Sequence, residues 1–272
     1  MASPSYSEEL LRIPAQPASA ELVLRLVSDP KATAAELARA VETDPALAAR
    51  VMRLANSRYY GAPRRVSSAQ HAIVLLGRDT VRGIAASAAC SLLDVRPDFG
   101  PEGFWRHALA TGAAASVVAG RVGLSTADAF SAGLLHDLGA VLLHLRDPDA
   151  FARAQRQPTM TAIVAAELEA FGTTHAQAGA AALDAWGYPP AFVEAVALHQ
   201  HGVEEPVFAL GRVVQVGEAL ALEHEPFPGY PRDVDLAGLL VTVGLGERDL
   251  GALRAETERV LARLADQFAK ER

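Results

Sequence analysis

The strongest candidates for chemistry are a histidine and an aspartate that follow one another in an apolar segment. His136 and Asp137 lie in the stretch from Gly133 to Leu145, which is otherwise rich in leucine. Burying a carboxylate costs several kcal/mol unless it is paired, hydrogen-bonded or bound to a metal ion. A histidine in such a place can also simply donate a hydrogen bond to a carbonyl or to its neighbour. The doublet alone leaves both interpretations open.

Further candidate ligands are spread along the chain so that each is expected on a different helix. They are His107, His175, His199 and Glu218. Such a set suits a site enclosed between the helices of a bundle. Imidazole nitrogen together with carboxylate oxygen favours Mn, Fe, Co, Ni or Zn over calcium, and an open position on such an ion would supply a hydroxide nucleophile. The doublet and these four residues therefore predict a divalent transition-metal site.

The elements that must position these residues are predicted to be helices throughout, so the expected fold class is all-α. Alternating β-branched runs are nearly absent, and helix-capping residues recur along the chain. Thr33 with Glu36 forms a capping box, Asp44 is an N-cap before a proline, and Ser68 precedes an apolar segment that ends at Gly77.

The doublet is expected inside one long central helix. Ser125 is a capping residue, and the leucines that follow it recur at helical spacing as far as Leu145. Small residues surround His136 on the opposite side, as in a helix enclosed by its neighbours. We therefore expect His136 to face protein rather than water.

Three units are predicted from the connections. Residues 94–101 and 223–231 are rich in proline and turn-forming residues. The units are an N-terminal helical sub-domain (residues 1–96), a helical sub-domain that carries the candidate site (97–225) and a C-terminal helical extension (226–272). The extension ends in a charged amphipathic helix that can dock on the bundle or on a second copy of the chain.

Composition limits the partners and the compartment. Half of the 272 residues are hydrophobic and the formal net charge is -7, with no basic stripe, so direct nucleic-acid binding is disfavoured. No secretory signal and no membrane-spanning stretch are recognisable, so we expect a cytoplasmic protein that does not bind a membrane. The single cysteine, Cys90, is expected to be a buried inert thiol.

Four spaced segments carry a resemblance to a known family. They are Asp44 to Arg50, Leu54 to Gly61, Ile73 to Gly77, and His175 to Gly179 leading into Trp186 to Pro189. With the doublet and the histidine before it, they make the chain resemble the HDOD family, the HD-related output domain of bacterial signalling proteins. That family is related to the HD and HD-GYP metal-dependent phosphohydrolases.

The resemblance also marks where this chain departs from the hydrolases. The HD superfamily holds metal with a histidine, a His-Asp doublet and a final aspartate. The first histidine corresponds to His107, and Glu218 stands where the last aspartate is expected. In HD-GYP phosphodiesterases the doublet is followed by glycine and a lysine that engages phosphate, whereas here Gly139 is followed by Ala140.

The resemblance implies a bacterial signal-transduction or regulatory module that acts through protein partners, with an Fe, Mn, Ni or Zn ion at the doublet and no catalytic residues. An alternative is a metal-dependent phosphohydrolase or phosphodiesterase acting on a cyclic dinucleotide or nucleotide, as in cyclic-di-GMP signalling, because the ligand candidates are retained. A third is a nucleotide sensor without turnover. A homodimer remains open.

Overall fold

A computed structural model describes residues 17–56, 65–78, 80–82, 84–85, 103–185, 188–204, 207–224 and 234–269. Every regular element within these ranges is a helix, which confirms the all-α prediction. Across the same ranges, the helices fall short of the length and apolar character that crossing a membrane would demand.

The N-terminal part is built from short helices with well-formed starts. They are α1 (Pro17–Ser28), α2 (Ala34–Val41), α3 (Pro45–Ala55) and α4 (Ala69–Leu76). The capping box of α2 is confirmed, because the Glu36 amide donates to the Thr33 hydroxyl and the Thr33 amide donates back to the Glu36 carboxylate. Asp44 and Ser68 likewise cap α3 and α4.

The remaining described helices follow along the chain. They are α5 (Phe104–Val122), α6 (Thr126–Leu135), α7 (Leu138–Arg146), α8 (Pro148–Ala154), α9 (Met160–Phe171), α10 (His175–Ala185), α11 (Pro190–Ala197), α12 (Ala209–His224), α13 (Leu236–Thr242) and α14 (Glu247–Ala269). Helices α6, α12 and α14 all pack along α5, while α10 packs against α7 and α11. Helices α13 and α14 lie in the predicted C-terminal extension.

The prediction of one long central helix is wrong. Helix α6 ends at Leu135 and α7 begins at Leu138, with a turn at His136 and Asp137 between them. Consecutive side chains on an uninterrupted α-helix diverge by about 100°. The turn instead lets both members of the doublet approach one point, with the His136 Nε2 and Asp137 Oδ2 atoms 3.6 Å apart.

Two hydrophobic clusters hold the helices together. The larger one joins the N-terminal helices to the rest through residues such as Leu47 and Met52 of α3 and Leu134 and Leu138 beside the doublet. The smaller one lies between α5, α12, α13 and α14. The predicted boundaries after residues 96 and 225, and Cys90, lie outside the described residues, and the division into three units stays a prediction.

The close crossing of α7 and α10 depends on glycine. A Cβ atom added to Gly139 would overlap the carbonyl oxygen of His175 and lie 2.7 Å from the amide nitrogen of Gly179. Only a residue without a side chain therefore allows the two backbones to approach this closely. The crossing brings the first residue of α10 beside the doublet.

We predict that Gly139→Ala destabilises the protein because backbone atoms of α10 cannot move away without repacking the core. The expected loss is about 1–3 kcal/mol or more in the free energy of unfolding, measured by chemical denaturation. Gly251→Ala is the matched control, since a Cβ there meets no atom within 4 Å. It should be neutral or stabilising by up to about 1 kcal/mol. Equal effects of the two substitutions would contradict the close crossing.

Candidate metal centre

Four imidazoles surround the carboxylate of Asp137. The Nε2 atoms of His107 and His136 lie 3.8 and 3.6 Å from its Oδ2 atom. Those of His175 and His199 lie 3.7 and 3.4 Å from its Oδ1 atom. Each histidine comes from a different segment: α5, the turn before α7, the start of α10 and the residues after α11. All five side chains are buried.

Glu218 completes the group from α12. Its Oε1 atom lies 3.9 Å from Nε2 of His136 and accepts a hydrogen bond of 3.0 Å from the side-chain amide of Gln200. The structure thus brings together all six residues predicted as ligands. We call them the histidine cluster; their role in metal binding stays a prediction.

The ring nitrogens that face away from the cluster are held by acceptors. Nδ1 of His136 lies 2.6 Å from the carbonyl oxygen of Gly133, and Nδ1 of His199 lies 2.7 Å from that of Val196. Because a carbonyl oxygen only accepts, each Nδ1 must carry the hydrogen. The Nε2 atoms then present lone pairs to the cluster. No hydrogen bond from the described residues reaches Nε2 of either ring.

The third histidine is held by a carboxylate that the sequence analysis missed. Glu167 of α9 is fully buried, and its Oε2 atom lies 2.7 Å from Nδ1 of His175 and accepts a 2.9 Å bond from the backbone amide of the same residue. Gln155 donates to its other oxygen. The available signal was spacing, since Ile163 and Glu167 share the buried side of α9.

Burial and charge decide which groups are ionised. Burial lowers the pKa of His107 to about 4 and that of His136 to about 3, so both rings are neutral near pH 7. Burial alone would raise the pKa of Asp137, but the neighbouring imidazoles, above all His136, hold it well below its ordinary value. Near pH 7 the cluster therefore contains the ionised Asp137 carboxylate beside the neutral rings of His107 and His136.

Two groups of the cluster bind protons near neutral pH. Burial alone would lower the pKa of His175, but the Glu167 carboxylate raises it to about 9. Burial, assisted by the charge of Asp137, raises the pKa of Glu218 to about 7. A dication that binds here must therefore displace protons from these residues.

The donor set fits a divalent transition metal. Atoms bound about 2.0–2.2 Å from a tetrahedral ion are about 3.3–3.6 Å apart, close to the separations around Asp137. Two overlapping triplets have ligand atoms within 4.8 Å of one another: one contains His107, His136 and Glu218, and the other contains His136, Asp137 and His199. Neutral imidazoles with carboxylates are ligands that suit Mn, Fe, Ni or Zn.

Comparison with known proteins supports the helical fold described above. The family model described as HDOD domain matches residues 13–202. The MmoQ response regulator from Methylococcus capsulatus str. Bath is 28% identical, with a TM-score of 0.71 over 89% of this chain and 98% of that one. A virulence factor from Campylobacter jejuni subsp. jejuni, 19% identical, has a TM-score of 0.67 over 95% and 96% of the two chains, which shows the fold alone.

One curated relative is an uncharacterised protein of Treponema pallidum (strain Nichols). It is 23% identical over 208 residues, which are 74% of this chain and 40% of the relative. The chain therefore matches less than half of the length of that protein.

We predict that Glu167→Gln weakens metal binding about 10- to 100-fold, because a neutral amide no longer fixes and polarises His175. The pKa of His175 should fall below its value of about 9. Calorimetric titration with Zn²⁺ and an NMR titration of the His175 ring measure the two effects. Glu169→Gln, an exposed change on the same helix, is the control and should alter neither. Unchanged affinity in Glu167→Gln would contradict the positioning of His175.

We also predict that metal affinity rises at least about tenfold between about pH 6 and pH 8. Below its pKa of about 7, Glu218 holds a proton that the ion must displace, and His175 holds one up to about 9. His107 and His136 are already neutral in this range and add no dependence. Titrations in a series of buffers test this, and Glu218→Gln should reduce the slope. An affinity that is flat over this range would contradict the assignment.

Proposed function

This chain belongs to the HDOD domain family, and from that premise we propose that it is a signal-transduction module that acts through protein partners and holds one divalent transition-metal ion at the histidine cluster. The likeness to the MmoQ response regulator, which covers nearly all of both chains, supports the signalling role. The ion and the mode of action are our inference from the chemistry of the site.

The observation that carries the proposal is the orientation of the histidine rings. Nδ1 of His136 and of His199 is committed to a backbone carbonyl, and Nδ1 of His175 to a buried carboxylate. Each Nε2 atom therefore points toward Asp137. Outward hydrogen bonds that fix the inward nitrogen are typical of metal-binding histidines.

The ion would act chiefly as a link between helices. The candidate ligands come from α5, the turn before α7, the start of α10, the residues after α11, and α12. One ion would therefore join five segments of the chain. Metal that binds only the folded state stabilises it by about 2.7 kcal/mol at a hundredfold excess over Kd. Occupancy would therefore set the rigidity of the surface that a partner protein contacts.

The second candidate is a metal-dependent phosphohydrolase acting on a cyclic dinucleotide or nucleotide. The observation in its favour is that the doublet, three further histidines and Glu218 converge, so that a bound ion could supply a hydroxide. Against it stands Ala140, which occupies the position expected for a phosphate-binding lysine and is fully buried in the core. We therefore rank signalling first.

We predict that the purified protein contains about one transition-metal ion per chain by elemental analysis. Adding metal to the stripped protein should raise the thermal midpoint by about 5–10 °C. Asp137→Ala should abolish the shift, while Asp149→Ala, at an exposed aspartate of α8, should retain it. No metal and no shift in the wild type would overturn the metal part of the proposal.

A turnover assay separates the two candidates. The module should leave cyclic dinucleotides intact in the presence of added Mn²⁺ or Fe²⁺. Steady hydrolysis that is lost in both His136→Ala and Asp137→Ala would overturn the first candidate and establish the enzyme.

A further inference from the structure

A small pocket opens beside the histidine cluster. Its volume is about 270 Å³, and its walls include Met160 of α9, His201 after α11, Glu218 of α12, and Asp235 and Leu239 from the C-terminal extension. We call it the mouth pocket.

The mouth pocket adjoins the cluster, because His199 and Glu218 belong to both. The side chain of His199 is almost completely buried, and its Nε2 atom lies 3.4 Å from Asp137 Oδ1. A ligand that enters the pocket therefore meets the Glu218 carboxylate, and the His199 imidazole lies in the wall. These are groups that bind a cation.

The carboxylates that line the mouth pocket would repel a phosphate group. Its described lining residues carry two carboxylates, Glu218 and Asp235, and include no lysine or arginine. The guanidinium of Arg212 lies nearby, where it bonds the carbonyl oxygens of Gly202 and Val203 at the pocket wall. A phosphate ester would thus meet like charges without a basic side chain from this lining to bind it.

The pocket is also too small to enclose a large ligand completely. Sites for drug-sized molecules have volumes of about 300–1,000 Å³, and a cyclic dinucleotide is larger than a typical drug-sized molecule. The observed volume of about 270 Å³ lies just below that range. An ion with its hydration shell fits this space.

We propose that the mouth pocket is the path by which a hydrated divalent cation reaches the histidine cluster, with Asp235 of the C-terminal extension attracting the cation and opposing phosphate esters. This inference rests on the proposed metal site and identifies the ligand that the module senses as the ion itself. It also gives the start of α13 a role at the site.

The test compares rates of Zn²⁺ association with the metal-free full-length chain, measured by stopped flow. Asp235→Ser is the variant, because serine can still cap α13, where Asp235 now accepts from the Gly238 amide. Association should slow about two- to fivefold at low ionic strength, and the difference should shrink in high salt. Glu21→Gln makes the same change in charge at an exposed position of α1 and should leave the association rate unchanged.

A second arm tests the exclusion of phosphate. Inorganic phosphate and a cyclic dinucleotide are titrated separately into the zinc-loaded protein, and neither should bind at millimolar concentration. Binding of either one, or an Asp235→Ser rate equal to that of the wild type, would overturn this inference while leaving the metal site intact. Failure of Zn²⁺ to bind the wild type at all would overturn the metal site itself.

Discussion

The structure depends on burying the carboxylate of Asp137 away from water. Asp137 and Glu167 are both completely buried. His175 lies between them, and because its pKa is raised to about 9, its ring carries a positive charge near pH 7. Two buried anions with a single cation leave a negative site, which a dication can neutralise. Within the described residues, His175 is the ring that lies between the two carboxylates, 3.7 Å from Asp137 and 2.7 Å from Glu167.

The fold supplies the geometry through close backbone approaches rather than through long side chains. The turn between α6 and α7 directs both members of the doublet to one point, and Gly139 lets α10 come near enough to present His175. The N-terminal helices share the larger hydrophobic core with these elements, so the cluster is buried in part by residues far from it in sequence. Metal binding at the site would therefore be linked to the packing of the described helices.

Much of this could be predicted from local signals. The caps at Thr33, Asp44 and Ser68 fixed helix starts because each acts within a single turn of chain. The candidate ligand residues were recognisable because histidines and acids are rare in apolar helices. The break at the doublet was missed because leucine spacing continues unchanged across it, and Glu167 was missed because it follows no motif. The position of Asp235 beside Glu218 in the mouth pocket could not be predicted, because it depends on tertiary packing rather than on a local sequence pattern.

The central claim is that the histidine cluster holds one metal ion. Anomalous diffraction from crystals of the zinc-loaded protein tests it most directly. The account predicts a single strong peak about 2.0–2.3 Å from Nε2 of the cluster histidines and from Asp137. A peak elsewhere on the molecule, with the cluster filled only by water, would contradict it.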